Sequence, residues 1–193
     1  SRRSIVSRPV LSEPAEALYS RFVFESGFPP AERASILMKA VFLNPFIASV
    51  VQVVQSLLGE SPVKGNIYIR DKSYNCEGAA VIIGITGPLR GQVVMAMAED
   101  CAKGIAARMM MEESVDVLDE FAMSALGEMA NMISANATIG LSEAGYICDI
   151  TPPAMLTGRS LEITCPDEMK TVVIPMSLSM GQIELNLTVT ESR

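Results

Sequence analysis

Between Asp116 and Leu141 apolar residues recur every three to four positions, and Leu118, Phe121, Ala122, Ala125, Met129, Met132 and Ile133 gather on one stripe at about 100° per residue. The pattern predicts a long amphipathic helix. Its opposite side carries Glu120, Ser124, Gly127, Glu128, Asn131, Ala135 and Thr138. Glu128 and Asn131 stand three residues apart, a spacing that sets an acid and an amide side by side on one face. Their neighbours Ser124, Gly127 and Ala135 are small, so another protein surface can come close to the helix there. A merely solvated face would more often carry Lys and Glu. Asn136 falls within the apolar stripe and is expected to make a buried structural hydrogen bond.

The remaining pattern gives further elements. Asn44-Pro45-Phe46 opens an apolar run that reads as a helix with Asn44 at the N-cap, Pro45 in first position and Gly59 at the C-terminus. Alternation over residues 66–72 and 77–98 predicts strands, the last two joined as a hairpin through Gly87-Pro88-Leu89-Arg90-Gly91. The spacing of Gly84, Gly87 and Gly91 matches no phosphate-binding loop, and a strand rather than a helix follows the turn. Residues 99–111 predict a second helix that packs Ile105 and the Met109–Met111 run into the core. Strands are expected near 146–150, 160–164, 171–180 and 182–190, with Thr151-Pro152-Pro153 as a rigid bend. The order helix, strands, helix, helix, strands describes a loosely duplicated α+β plan. Laying the first helix on the long one puts Gln52 and Gln55 opposite Glu128 and Asn131, so a first copy would lack the acid.

Residues 1–37 differ from the rest. They hold Arg2, Arg3, Arg8, Arg21 and Arg33 with Pro9, Pro14, Pro29 and Pro30, around one short predicted helix, Ser12–Glu25, capped by Ser12.

Composition narrows the chemistry. In 193 residues, 49% hydrophobic content against 19% charged indicates a well-buried core. A net charge of −7 and a pI near 4.7 argue against a nucleic-acid or anionic-membrane surface. Thirteen Met and no Trp suggest adaptable packing rather than an aromatic stacking platform. The absence of His removes His-based zinc sites, Ser-His-Asp and Cys-His systems and imidazole acid–base catalysis. Cys76, Cys101, Cys148 and Cys165 are widely spaced, with no C-x-x-C, and read as reduced, mostly buried thiols. No signal peptide and no bilayer-spanning apolar run is read from the sequence, which predicts a cytoplasmic protein without nucleic-acid partners or membrane insertion. The sequons at Asn136 and Asn186 then carry no meaning.

Several motifs now agree in order and spacing: Leu118-Asp119-Glu120, Ser124-Ala125-Leu126-Gly127-Glu128-Met129-Ala130-Asn131-Met132, Asp149-Ile150-Thr151-Pro152-Pro153 and Thr157-Gly158-Arg159. Together they resemble the chemotaxis phosphatases of the CheX, CheC and FliY group, over about residues 38–190. The single E-x-x-N helix is similar to the CheX branch; CheC has two. The resemblance implies a CheC-like α+β fold, a pseudo-duplicated helix-plus-antiparallel-strands unit with long helices packed on a sheet. It implies a phosphatase domain at 38–193 and an extension at 1–37, with Met38-Lys39-Ala40 as the natural start.

By the same resemblance the activity is dephosphorylation of the phospho-aspartate of a CheY-type response regulator. The glutamate matching Glu128 pairs with a lysine in the regulator's active site, and the asparagine matching Asn131 orients the attacking water beside the acyl phosphate. Mg2+ would be held by the regulator, this chain needing no cofactor of its own. Glu120, Ser124, Gly127 and Ala135 are candidate regulator contacts, or simply fill the surface. The family's homodimers imply pairing through a sheet edge. Taken alone, Glu and Asn at i, i+3 fit a solvated face. A non-enzymatic binding module, as in the flagellar switch relatives, is the main alternative, and a regulator outside chemotaxis is a second.

Overall fold

The computed structural model describes residues 30–70, 73–164 and 169–192, with side chains from residue 41. The expected helix Ser12–Glu25 and Cys165 lie outside the described residues. The chain divides into two compact units, residues 1–44 and 45–193. Of the first, residues 30–44 are described, and they are helical.

Helix α1 spans Pro30–Leu58 with Pro45 inside it. Asn44 is therefore not an N-cap and Pro45 not a first position: the helix runs on through the proline, forgoing the one backbone bond that the missing N–H would have made. Gly59 ends it as expected, at φ +69° with its N–H donating to the Gln55 carbonyl at 3.2 Å. By length and composition Val41–Leu58 would suffice to cross a bilayer, contrary to the expectation of no such apolar run, though 44% of it is buried within the fold. Its polar side carries exposed Gln52 and Gln55, while Val50, Val53 and Val54 are buried.

The strands are β1 (Val63–Lys64), β2 (Tyr68–Arg70), β3 (Tyr74–Thr86), β4 (Leu89–Met97), β5 (Asp149–Ile150), β6 (Ala154–Ile163), β7 (Thr171–Leu178) and β8 (Gly181–Glu191). They form one antiparallel sheet in the order β1-β7-β8-β4-β3-β5, with β2 also on β7 and β6 also on β3. The α+β plan is thus realised as a single eight-stranded sheet. Period-two alternation fixes its register. Val81, Met95 and Leu185 lie across from one another, as do Ile83, Val93 and Leu187, all buried on one face. The other face carries a smaller cluster of Tyr74, Cys76, Ala80, Val94, Ala96 and Ile163. Ala154–Ile163 begins six residues before the predicted strand, because an edge strand that is mostly exposed has no clean alternation to read.

Helix α2 (Glu99–Met110) follows β4 directly. The β-bulge between Cys76 and Gly78 makes room for it: Gly78 sits at φ +113°, and a Cβ there would lie 2.4 Å from the Glu99 nitrogen. Ile105 is buried as predicted, but the methionine run is not core. Met111 is 94% exposed in a left-handed C-cap, and Met110 is also exposed, because the helix ends there and turns its last residues outward. Arg108 donates to the Leu58 carbonyl and to Glu60, tying α2 to the C-terminus of α1. Cys76, Cys101 and Cys148 are buried free thiols.

Candidate functional site

Helix α3 (Glu120–Glu143) carries the acid–amide pair. It starts four residues later than the hydrophobic pattern suggested, because Asp119 is extended and its carboxylate accepts from the Ala122 N–H at 2.9 Å. That is an N-cap, and the charge suits the positive end of the helix.

Small side chains seat α3. Ala122, Leu126, Met129, Ala130, Ile133, Ala137 and Leu141 are buried together with Gly127. Ser49 of α1 donates to the Ile133 carbonyl at 2.8 Å, and Gly140 lies against Pro45, so α1 crosses α3 closely. On the sheet side a Cβ at Gly127 would lie 2.9 Å from Met155 Sδ and 3.6 Å from Pro153 Cγ. Met155 is opposite Val81, so α3 covers the larger apolar face. The Thr151-Pro152-Pro153 bend is held in turn by Gly84, whose N–H donates to Thr151 Oγ1 at 2.9 Å and whose carbonyl accepts from the Thr151 N–H at 3.0 Å. The motifs that stand apart in sequence therefore form one support: Gly84 fixes Thr151, which fixes the prolines and β6, which seat α3 at Gly127.

On this support Glu128 is exposed and Asn131 half-buried beside it. Glu120 and Ser124 are exposed on the same side, and Ala135 is half-buried. Gly127 is not on that face. It is buried under Met155, its missing side chain admitting the strand rather than a partner. Asn136 is half-buried rather than buried; the deeply buried polar side chain of the helix is Ser134.

The true buried stripe is also rotated from the predicted one. Phe121, expected in the core, is 75% exposed, and Met132 is half-buried. With Ile139 at 61% exposure they line the outer face around Glu128. The electrostatics of this region are one-signed: residues 109–158 contain eight Asp and Glu and no Lys or Arg.

A long helix seated on an antiparallel sheet is the α+β arrangement of the CheC-like fold, and comparison with known proteins agrees on that fold. Residues 79–177 match the family described as "Chemotaxis phosphatase CheX". The chain is 32% identical over 126 residues to the CheY-P phosphatase CheX of Thermotoga maritima, covering 65% of this chain and 81% of that protein. The crystal structure of the CheX–CheY–BeF3–Mg2+ complex from Borrelia burgdorferi matches with a TM-score of 0.68 at 25% identity, over 78% of this chain and 98% of that one. A chemotaxis protein CheX from Desulfovibrio desulfuricans superposes with a TM-score of 0.70 at 22% identity, over 78% of this chain and 99% of that one, and so speaks for the fold. The chain belongs to the CheX chemotaxis phosphatase family.

Proposed function

We propose that this chain hydrolyses the aspartyl phosphate of a CheY-type response regulator, with Glu128 docking on the regulator and Asn131 placing the attacking water. The observation that carries the reading is the exposed acid and half-buried amide, one turn apart, on a helix that is capped and seated at both ends of its buried face. In the reaction water attacks phosphorus and the bond from phosphorus to the carboxylate oxygen breaks. Aspartate leaves as a carboxylate, and both water protons end on the released phosphate. Such a leaving group needs no general acid, so the chemistry is compatible with a chain lacking His. The Asn131 amide can accept from water through its oxygen while its nitrogen donates to a phosphoryl oxygen. Its contribution is alignment rather than proton transfer.

Glu128 lies in an acidic segment, so its partner must be a cation, and a regulator lysine meets that need. Mg2+ in the regulator would neutralise phosphoryl charge. Among the described residues no three His, Cys, Asp or Glu side chains converge here. The same reading takes residues 38–193 as the phosphatase domain and 1–37 as an extension, and places the protein in the cytoplasm. It also joins two copies through the edge strand β6, which is largely exposed and, among the described residues, pairs only with β3.

The test follows phosphate loss from a CheY-type regulator of the same host. The wild-type chain should speed it, and Glu128→Ala should weaken the complex and slow turnover. Binding without faster decay would make the chain a binding module, and unchanged binding by Glu128→Ala would remove its docking role. Sedimentation of the chain as a monomer would refute the edge-paired dimer.

A further inference from the structure

Three large apolar side chains stand on the solvent side of α3. Phe121 is 75% and Ile139 61% exposed, with half-buried Met132 between them. At 100° per residue all three fall within about 20° of one line along the helix, and Ile139 lies five turns beyond Phe121, about 27 Å away. Glu128 is on that line too, between Phe121 and Met132. Ala125 and Ala135 complete an alternating four-three spacing, the pattern by which a helix presents a seam to a partner. Among the described residues the fold makes no use of this seam, since the buried stripe of Ala122, Leu126, Ile133 and Ala137 points the other way. An exposed apolar row of this kind marks an interaction surface.

We infer that Phe121, Met132 and Ile139 are docking anchors for the phosphorylated response regulator, holding it lengthwise on α3 while Glu128 and Asn131 meet the phosphoryl site. The inference rests on the function proposed above. Glu128 lies within the seam, so whatever covers Phe121 and Met132 must also cover Glu128, and the seam is continuous with the catalytic face. Charge selects against the obvious rival. A second copy laid on the same face would set α3 against α3, and residues 109–158 carry eight carboxylates with no Lys or Arg. A surface that offers a cation among apolar groups fits instead. The length suits as well: a standard interface buries about 800 Å2 per partner, a patch roughly 30 Å across.

The experiment titrates a CheY-type regulator of the same host, loaded with beryllofluoride and Mg2+, against wild type, Phe121→Ala, Ile139→Ala and Phe121→Leu. Each alanine variant should raise Kd about tenfold, with the loss in turnover falling in KM rather than kcat, and Phe121→Leu should recover most of it. Unchanged Kd in both alanine variants overturns the inference. So does a fall in kcat at unchanged Kd, or dissociation of a chain–chain dimer with regulator affinity intact. Failure of the wild type to speed phosphate loss would instead refute the proposed reaction, and the anchors would still stand or fall on Kd.

Discussion

Gly127 sits between the two proposed catalytic residues and the strand that supports them, so substitutions there separate packing from chemistry. An alanine Cβ would lie 2.9 Å from Met155 Sδ and 3.6 Å from Pro153 Cγ. The first contact is with the end of a flexible, partly exposed side chain, which can rotate away at a cost of about 0.5–1.5 kcal/mol. Alanine in a helix interior gains about 0.8–1 kcal/mol over glycine. The two nearly cancel, so Gly127→Ala should change stability by no more than about 0.5 kcal/mol. Valine is another matter. Its branches reach toward the Pro153 ring, which cannot yield because Thr151 is bonded twice to Gly84. Helix α3 must lift, at about 1–3 kcal/mol for overpacking. A displacement near 1 Å of Glu128 and Asn131 would then lower regulator dephosphorylation by about a hundredfold. Urea denaturation midpoints at constant m give the stabilities, and single-turnover phosphate loss gives the activity. A Gly127→Ala variant destabilised by more than about 2 kcal/mol, or a fully stable and active Gly127→Val, would refute the reasoning.

Removing the N-cap by Asp119→Ala deletes the 2.9 Å bond to the Ala122 N–H and should cost about 1 kcal/mol, seen as a fall of about 2–4 °C in Tm. The Cys101 thiol is pushed up to about 11, first by burial and then by the Glu60 carboxylate. The folded chain therefore keeps a proton that the unfolded chain gives up near pH 9, so stability should fall as pH rises from 9 to 11. Urea midpoints of wild type and Cys101→Ala across that window measure it, the variant showing the shallower decline. At pH 8 iodoacetamide should leave Cys101 unmodified until the chain is unfolded.

Much of this architecture was legible from periodicity, but for reasons that differ by element. Strands such as β3, β4, β7 and β8 are rich in β-branched and apolar residues and largely buried, so their composition marks them as strands even where, as in β7, both faces are buried and alternation is lost. Edge strand β6 buries little and was read six residues short. Helix α3 was legible but rotated, because its buried side mixes Leu126, Met129 and Ile133 with Ala122, Gly127, Ala130 and Ala137, small residues that close backbone approach requires and that a hydrophobic stripe does not reveal. Phe121 then looked like core although the fold leaves it in water. That Glu128 and Asn131 share an outward face was legible from spacing, but spacing alone fits a solvated face equally, and only the resemblance made the pair a candidate site. Their support was not legible, since the link from Gly84 through Thr151 to Gly127 joins positions far apart in the chain.

The central claim is that Asn131 contributes alignment of water to a complex that Glu128 holds. Measuring phosphate loss and regulator binding side by side for Asn131→Ala tests it most directly. The account predicts a fall of about a hundredfold or more in the single-turnover rate, with the Kd for a beryllofluoride-loaded regulator changed by less than about threefold. An Asn131→Ala chain that dephosphorylates the regulator at the wild-type rate would contradict it.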